Sequence, residues 1–151
     1  MNGHIPKAYN ELMDRLLEPE DRRKLEIIVG AMLTGGEPKI VIICGRGGSG
    51  KTTIMRIIHR LQLFNIVDSG RRTPHVVFQH EGYFPIEGDP FIFAEALNEP
   101  FALSGTIFVR TTGERLPVNK YYVLMDMIDS ELDEIAEHCI RTYTNAQENN
   151  R

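Results

Sequence analysis

Few cysteines, no long apolar run and no basic surplus mark this chain, and each shortage closes off a class of protein. Two cysteines among 151 residues, Cys44 and Cys139, stand at no metal-ligand spacing. They read as small buried hydrophobes in a reducing compartment, not as a disulfide framework or a zinc site. No apolar stretch reaches the ~18 residues that a membrane span needs, and residues 1–11 lack the charged-then-apolar plan of a secretory signal. An intracellular, cytoplasmic protein with no place in a membrane is expected. A net charge of −4 argues against a dedicated nucleic-acid clamp, which shows as a surplus of Lys and Arg. Arg56, His59, Arg60, Arg71 and Arg72 form the one local basic group, and such faces are more often simply solvated. With 42% hydrophobic, 25% charged and 8% aromatic residues, the composition is that of an ordinary globular protein. A chain of this length buries roughly 70% of its unfolded surface as one domain. The expected division is a helical lead-in over residues 1–36, a nucleotide-binding core over 37–128 and a C-terminal helix over 129–151.

What is present is a glycine-rich segment in a telling place. Residues 45 to 53 read Gly-Arg-Gly-Gly-Ser-Gly-Lys-Thr-Thr, directly behind the apolar run Ile40 to Cys44 and ahead of a helical pattern that starts at Ile54. The spacing satisfies GxxxxGK[ST], with a strand before it and a helix after it. Glycines let the backbone close around a phosphate and aim successive N–H groups inward as an anion nest. Lys51 can then reach the β- and γ-phosphates, Thr52 offers a hydroxyl to Mg²⁺, and the helix N-terminus adds unpaired N–H groups and its positive dipole end. Gly45, Arg46, Gly47, Gly48, Ser49, Gly50, Lys51, Thr52 and Thr53 are therefore the expected triphosphate cradle, with ATP and Mg²⁺ as the implied ligands.

Periodicity supplies the frame. Helices are expected over Lys7 to Leu17 and from Pro19 to Gly35-Gly36, the second with Leu25, Ile28, Val29, Met32 and Leu33 on one stripe. After the loop, Ile54, Ile57, Ile58 and Leu61 give the next helix its buried side. Beyond it we expect a short strand at Ile66-Val67 ending at Asp68, and a strand at Val76 to Phe78 running into Gln79-His80-Glu81. A loop over Gly82 to Pro90 and a short helix over Phe91 to Leu97 follow, then strands at Thr106 to Val109 and Tyr121 to Met127. A last helix starts at the capping residue Ser130, with Leu132, Ile135, Ala136, Cys139, Ile140 and Tyr143 as its packing face. This alternation predicts an α/β fold: a reduced three-layer P-loop NTPase sandwich on a mostly parallel sheet, behind two N-terminal helices. Glu81 is the candidate general base if its strand lies beside the strand that enters the loop. Phe91, Phe93 and Tyr83 suit core packing or a base-stacking platform, and His75, His80 and Glu81 are a weak metal-ligand group.

The run from Arg22 to Leu63, with Leu33-Thr34-Gly35 closing a helix ahead of the strand and loop, resembles the poxvirus and phage type of primase-helicase NTPase, a branch of the superfamily 3 helicases. Val76 to Glu81 is similar to that family's second acidic strand, Thr106 to Pro117 to its sensor strand, and Asp129 to Tyr143 to the helix after it. The resemblance implies a Mg²⁺-dependent ATPase serving viral or mobile-element DNA replication. Lys51, Glu81 and Thr112 would be its catalytic residues, and single-stranded DNA, a homo-oligomer or a larger replication or virion assembly its partners. Ser49 stands where the family often has Asn, Gly113 where its sensor Asn stands, and His80 where an Asp is frequent; Arg115 is the one candidate arginine finger. Three alternatives stay open. They are a nucleoside or nucleotide kinase with Asp68 as base, a partition-type ATPase, and a degenerate P-loop domain serving as a structural or interaction module.

Overall fold

The computed structural model describes residues 6–69, 76–79, 90–97, 105–114 and 118–149, and of these the side chains of Asp68, Ser69 and Val118 are not part of the description. Two helices lead. α1 (Lys7–Leu16) has no capping side chain of its own; instead the Glu131 carboxylate accepts from the amides of Ala8 and Tyr9, both at 3.0 Å, which satisfies the orphan donors of its first turn. α2 (Pro19–Thr34) starts on a proline with Glu20 and Asp21 in the first turn and stops where Gly35 turns left-handed at φ 75°, because a residue with a Cβ resists that conformation. The Gly36 amide closes the end on the Ala31 carbonyl at 2.7 Å.

The sheet is built from β1 (Ile40–Cys44), β2 (Val76–Gln79), β3 (Phe91–Ala96) and β4 (Ile107–Arg110), with α3 (Lys51–Ser69) between β1 and β2. Among the described residues the three strand pairings are parallel, in the order β2-β3-β1-β4. α4 (Val118–Asp129) and α5 (Leu132–Asn149) finish the chain. Every helix contributes to one core cluster with Val41, Ile43, Phe91, Phe93 and Val109 on one side of the sheet. On the other side Ile42, Cys44, Ile92 and Ala94 are buried as a second cluster to which no described helix contributes. The α/β class with an all-parallel sheet stands; a helical layer on that second side is not among the described residues. α2 and α5 lie closest where Gly30 has no side chain: an added Cβ would collide with the Cys139 carbonyl and the Tyr143 Cβ. Each fully enclosed large apolar side chain, such as Leu12, Leu25 or Ile43, contributes about 1.5–3 kcal/mol relative to exposure.

Three expected elements change type. Ile66-Val67 is not a strand but the last turns of α3: nothing between Leu61 and Asp68 breaks the helix, and both side chains stay in solvent, at 44% and 77% exposure. Phe91 to Leu97 is not a helix but the strand β3, because a position between two strands buries both faces and overrides the helix preference of Ala94-Glu95-Ala96. Tyr121 to Met127 is not a strand but part of α4. There Leu124, Met125 and Ile128 are buried and Tyr121 packs beside them, a stripe at i, i+3, i+4 and i+7 that β-branched and aromatic neighbours conceal. At the α4–α5 turn Ser130 does not cap α5; its hydroxyl donates to the Met127 carbonyl at 2.7 Å.

Candidate functional site

The glycine segment leaves β1 at its carboxyl end and turns into α3 at Lys51. Gly48 and Gly50 sit at φ 75° and 95°, where side-chain-bearing residues are strained, so these two positions carry the turn. Arg46, Gly47 and Gly48 are exposed, and a Cβ on Gly47 would meet nothing within 4 Å. The crest of the loop is open. The first-turn amides of α3 have no intrahelical partner, as at any helix start, and the first helical bond, Ile54 N–H to the Gly50 carbonyl, measures 3.0 Å.

Lys51 is 8% exposed. Its ammonium donates to the carbonyl of Gly45 and, at 3.3 Å, to that of Ala96, at the carboxyl ends of β1 and β3. Beside it, Thr52 Oγ1 donates to Glu95 Oε1 at 2.9 Å. Register explains the meeting: Ile43 pairs with Glu95 and Cys44 with Ala96. Glu95 also shares the strand face of Phe91 and Phe93, the face that packs against the helices. Glu95 is itself buried, at 7% exposure. A hydroxyl and a carboxylate side by side are hard oxygen donors of the kind Mg²⁺ accepts together with substrate phosphates. Among the described residues no group of three or more His, Cys, Asp or Glu could hold a metal alone. The residues present therefore fit a metal that arrives with a nucleotide.

The wall opposite Glu95 comes from the end of β4. Thr111 Oγ1 lies 2.8 Å from Ser49 Oγ and 3.3 Å from the Cys44 carbonyl, while Arg46 reaches across to the Gly113 carbonyl at 2.8 Å. Thr112, the expected sensor, points away from the loop: its hydroxyl bonds the Arg15 carbonyl and its amide the Leu16 carbonyl, the latter at 2.8 Å. Thr111 is the threonine that touches the loop. Glu81, His80, His75, Tyr83, Arg71, Arg72 and Arg115 lie outside the described residues, as does the side chain of Asp68. The strand that leads to Glu81 is β2, which β3 separates from β1, so the strand condition placed on Glu81 is not met and Glu95 holds the position beside the loop strand. Sequence reading missed Glu95; the signal was an acid at the end of the apolar run Phe91-Ile92-Phe93-Ala94. Phe91 and Phe93 are wholly buried and serve the core, not a stacking platform. Of the basic group, Arg56 and His59 are exposed on α3, and Arg60 pairs with Asp129 at 3.1 Å.

No family model and no curated protein matches this chain. Among the described residues no helix is long and apolar enough to cross a membrane.

A second polar cluster invites comparison. Glu26 Oε2 accepts from Tyr9 Oη at 2.6 Å and from Arg22 Nε at 3.0 Å, and Glu26 Oε1 lies 3.0 Å from His138 Nε2. Burial by itself would raise the Glu26 carboxyl, but the hydrogen bonds from His138 and Tyr9 and the charge of Arg22 outweigh it and hold the group below its ordinary value. Burial, reinforced by the negative charge of Glu26, pushes the neighbouring Cys139 thiol well up, which makes it inert as a nucleophile. Centred on the buried Glu26 and Tyr9, with His138 partly in solvent, this cluster is mutually satisfied and joins α1, α2 and α5.

Proposed function

We propose that this chain is a Mg²⁺-dependent nucleoside triphosphatase with ATP as its substrate, acting with a larger replication partner. The observation that carries the reading is the pair of buried side chains Lys51 and Glu95, with the exposed Thr52 hydroxyl bonded to the Glu95 carboxylate, at the mouth of an open glycine turn. A lysine enclosed against neutral carbonyls pays a desolvation cost that an arriving polyphosphate would offset. In this reading the amides of Gly47 to Thr53 bind the β- and γ-phosphates, Lys51 swings from the strand-end carbonyls onto them, and Arg46 screens the outer charge. Glu95 orients the Thr52 hydroxyl and, through its carboxylate, a water in line with the γ-phosphate. Mg²⁺ supplies Lewis-acid stabilisation of the phosphate oxygens when bound. The replication role rests on the motif resemblance of residues 22–63.

The test is phosphate release from ATP with Mg²⁺, with and without single-stranded DNA, by the wild type and Glu95→Gln. Turnover stimulated by DNA and a loss of about 10² or more in Glu95→Gln, with nucleotide affinity kept, are the expected results. Glu95→Gln turning over at the wild-type rate would remove Glu95 from the mechanism. Binding without release in every condition would instead leave a nucleotide-holding module.

A further inference from the structure

We infer that α1 is a positioning element for the glycine loop, with Leu16 as the residue that transmits its hold, so that triphosphate binding and the docking of residues 7–17 are coupled. The inference rests on the reading of the loop as a phosphate site.

Four contacts converge at the C-terminal end of α1. The Leu16 isobutyl group forms the floor under Gly50: a Cβ there would lie 2.7 Å from Leu16 Cδ2 and 2.9 Å from Cδ1. The Leu16 carbonyl accepts the Thr112 amide at 2.8 Å, and the Arg15 carbonyl accepts the Thr112 hydroxyl. Leu17 makes an antiparallel bridge to Thr111, and Thr111 in turn touches Ser49 at 2.8 Å. Floor and wall of the loop are thus held from one helix end. The other end is fixed independently, by Glu131 on the Ala8 and Tyr9 amides.

The physical consequence is preorganisation. Glycines lose more conformational freedom than any other residue when a loop is fixed, and a floor that already holds Gly50 at φ 95° removes part of that loss from the binding step. Coupling of this kind is reciprocal: whatever α1 docking adds to nucleotide affinity, nucleotide adds to α1 docking. A core role alone would not separate Leu16 from Leu12, which is equally enclosed one turn earlier.

The experiment titrates MgATP into the full chain well below the melting temperature of every variant. Leu16→Ala is expected to weaken affinity by about tenfold. Thr112→Val, at an exposed position, should weaken it by about threefold and keeps the test informative if Leu16→Ala fails to fold. Leu12→Ala should lower the melting temperature comparably while affinity stays within about twofold of wild type. In the wild type, MgATP should slow amide hydrogen exchange in the last turn of α1. Wild-type binding with affinity unchanged in Leu16→Ala, or lost equally in Leu12→Ala, overturns the inference alone. No binding by the wild type overturns the phosphate-site reading, and the inference with it.

Discussion

Two cations, the half-buried Arg22 and the buried Lys51, sit in opposite company. Arg22, between α1 and α2, faces two carboxylates, Asp14 at 2.7 Å and Glu26 at 3.0 Å, and lies 5.1 Å from the centre of the Tyr9 ring. Lys51, at the carboxyl edge of the sheet, donates among the described residues to main-chain carbonyls alone. The first arrangement is closed: its charges answer one another and tie three helices together. The second is open, a cation held ready at the base of a loop whose crest is in solvent. The first arrangement ties helices together, and the second is where the proposed triphosphate site lies.

The largest expected effect comes from breaking the closed cluster. Glu26→Ala takes from Arg22 its buried partner, leaving only the exposed Asp14 as a carboxylate, and strips Tyr9 of its acceptor; it should cost roughly 3–5 kcal/mol in chemical denaturation, and a loss under 1 kcal/mol would mean the cluster carries no such weight. Next is the open cation. Lys51→Met should weaken MgATP binding about 100-fold, or about 2.7 kcal/mol, yet leave the unliganded fold within about 1 kcal/mol of wild type, since a buried charge bonded to neutral carbonyls earns little net stability. A loss of stability as large as that of Glu26→Ala would erase the contrast.

A pH series sharpens the same comparison. The Glu26 carboxyl is depressed below its ordinary value of 4.5, so its folded form binds fewer protons than its unfolded form. Its contribution is full above about 4.5 and is lost as pH falls through the folded value. Glu26→Gln should therefore lie furthest below wild type near neutrality, with the gap closing as pH drops under about 4.5; a constant gap would contradict the assignment. The smallest effect is expected from Val67→Ser on the exposed last turn of α3, within about 0.5 kcal/mol, as a thermal melt would show.

Much of the scaffold was readable because local signals agreed. Pro19 and Gly35 bracket α2, the stripe Leu25 to Leu33 gives its face, and the run Ile40 to Cys44 followed by glycines marks a central strand and turn. The failures fell where tertiary context reverses local preference. In β3 a buried strand shows no alternation, and Ala94-Glu95-Ala96 carries the residues of a helix; in α4 a helical stripe hides among Tyr121, Tyr122 and Val123. Glu95 was lost with β3, since its role exists only through the register that sets it beside Ile43. Thr111 and Thr112 differ by one residue, and only the observed chain path separates the one at the loop from the one at α1.

The most direct measurement is calorimetric titration of ATP and Mg²⁺ into the wild-type chain, paired with a thermal melt at the same ligand concentrations. Saturable one-to-one binding with a melting temperature that rises with ligand concentration is the predicted result. No heat and no shift at millimolar ligand would contradict it.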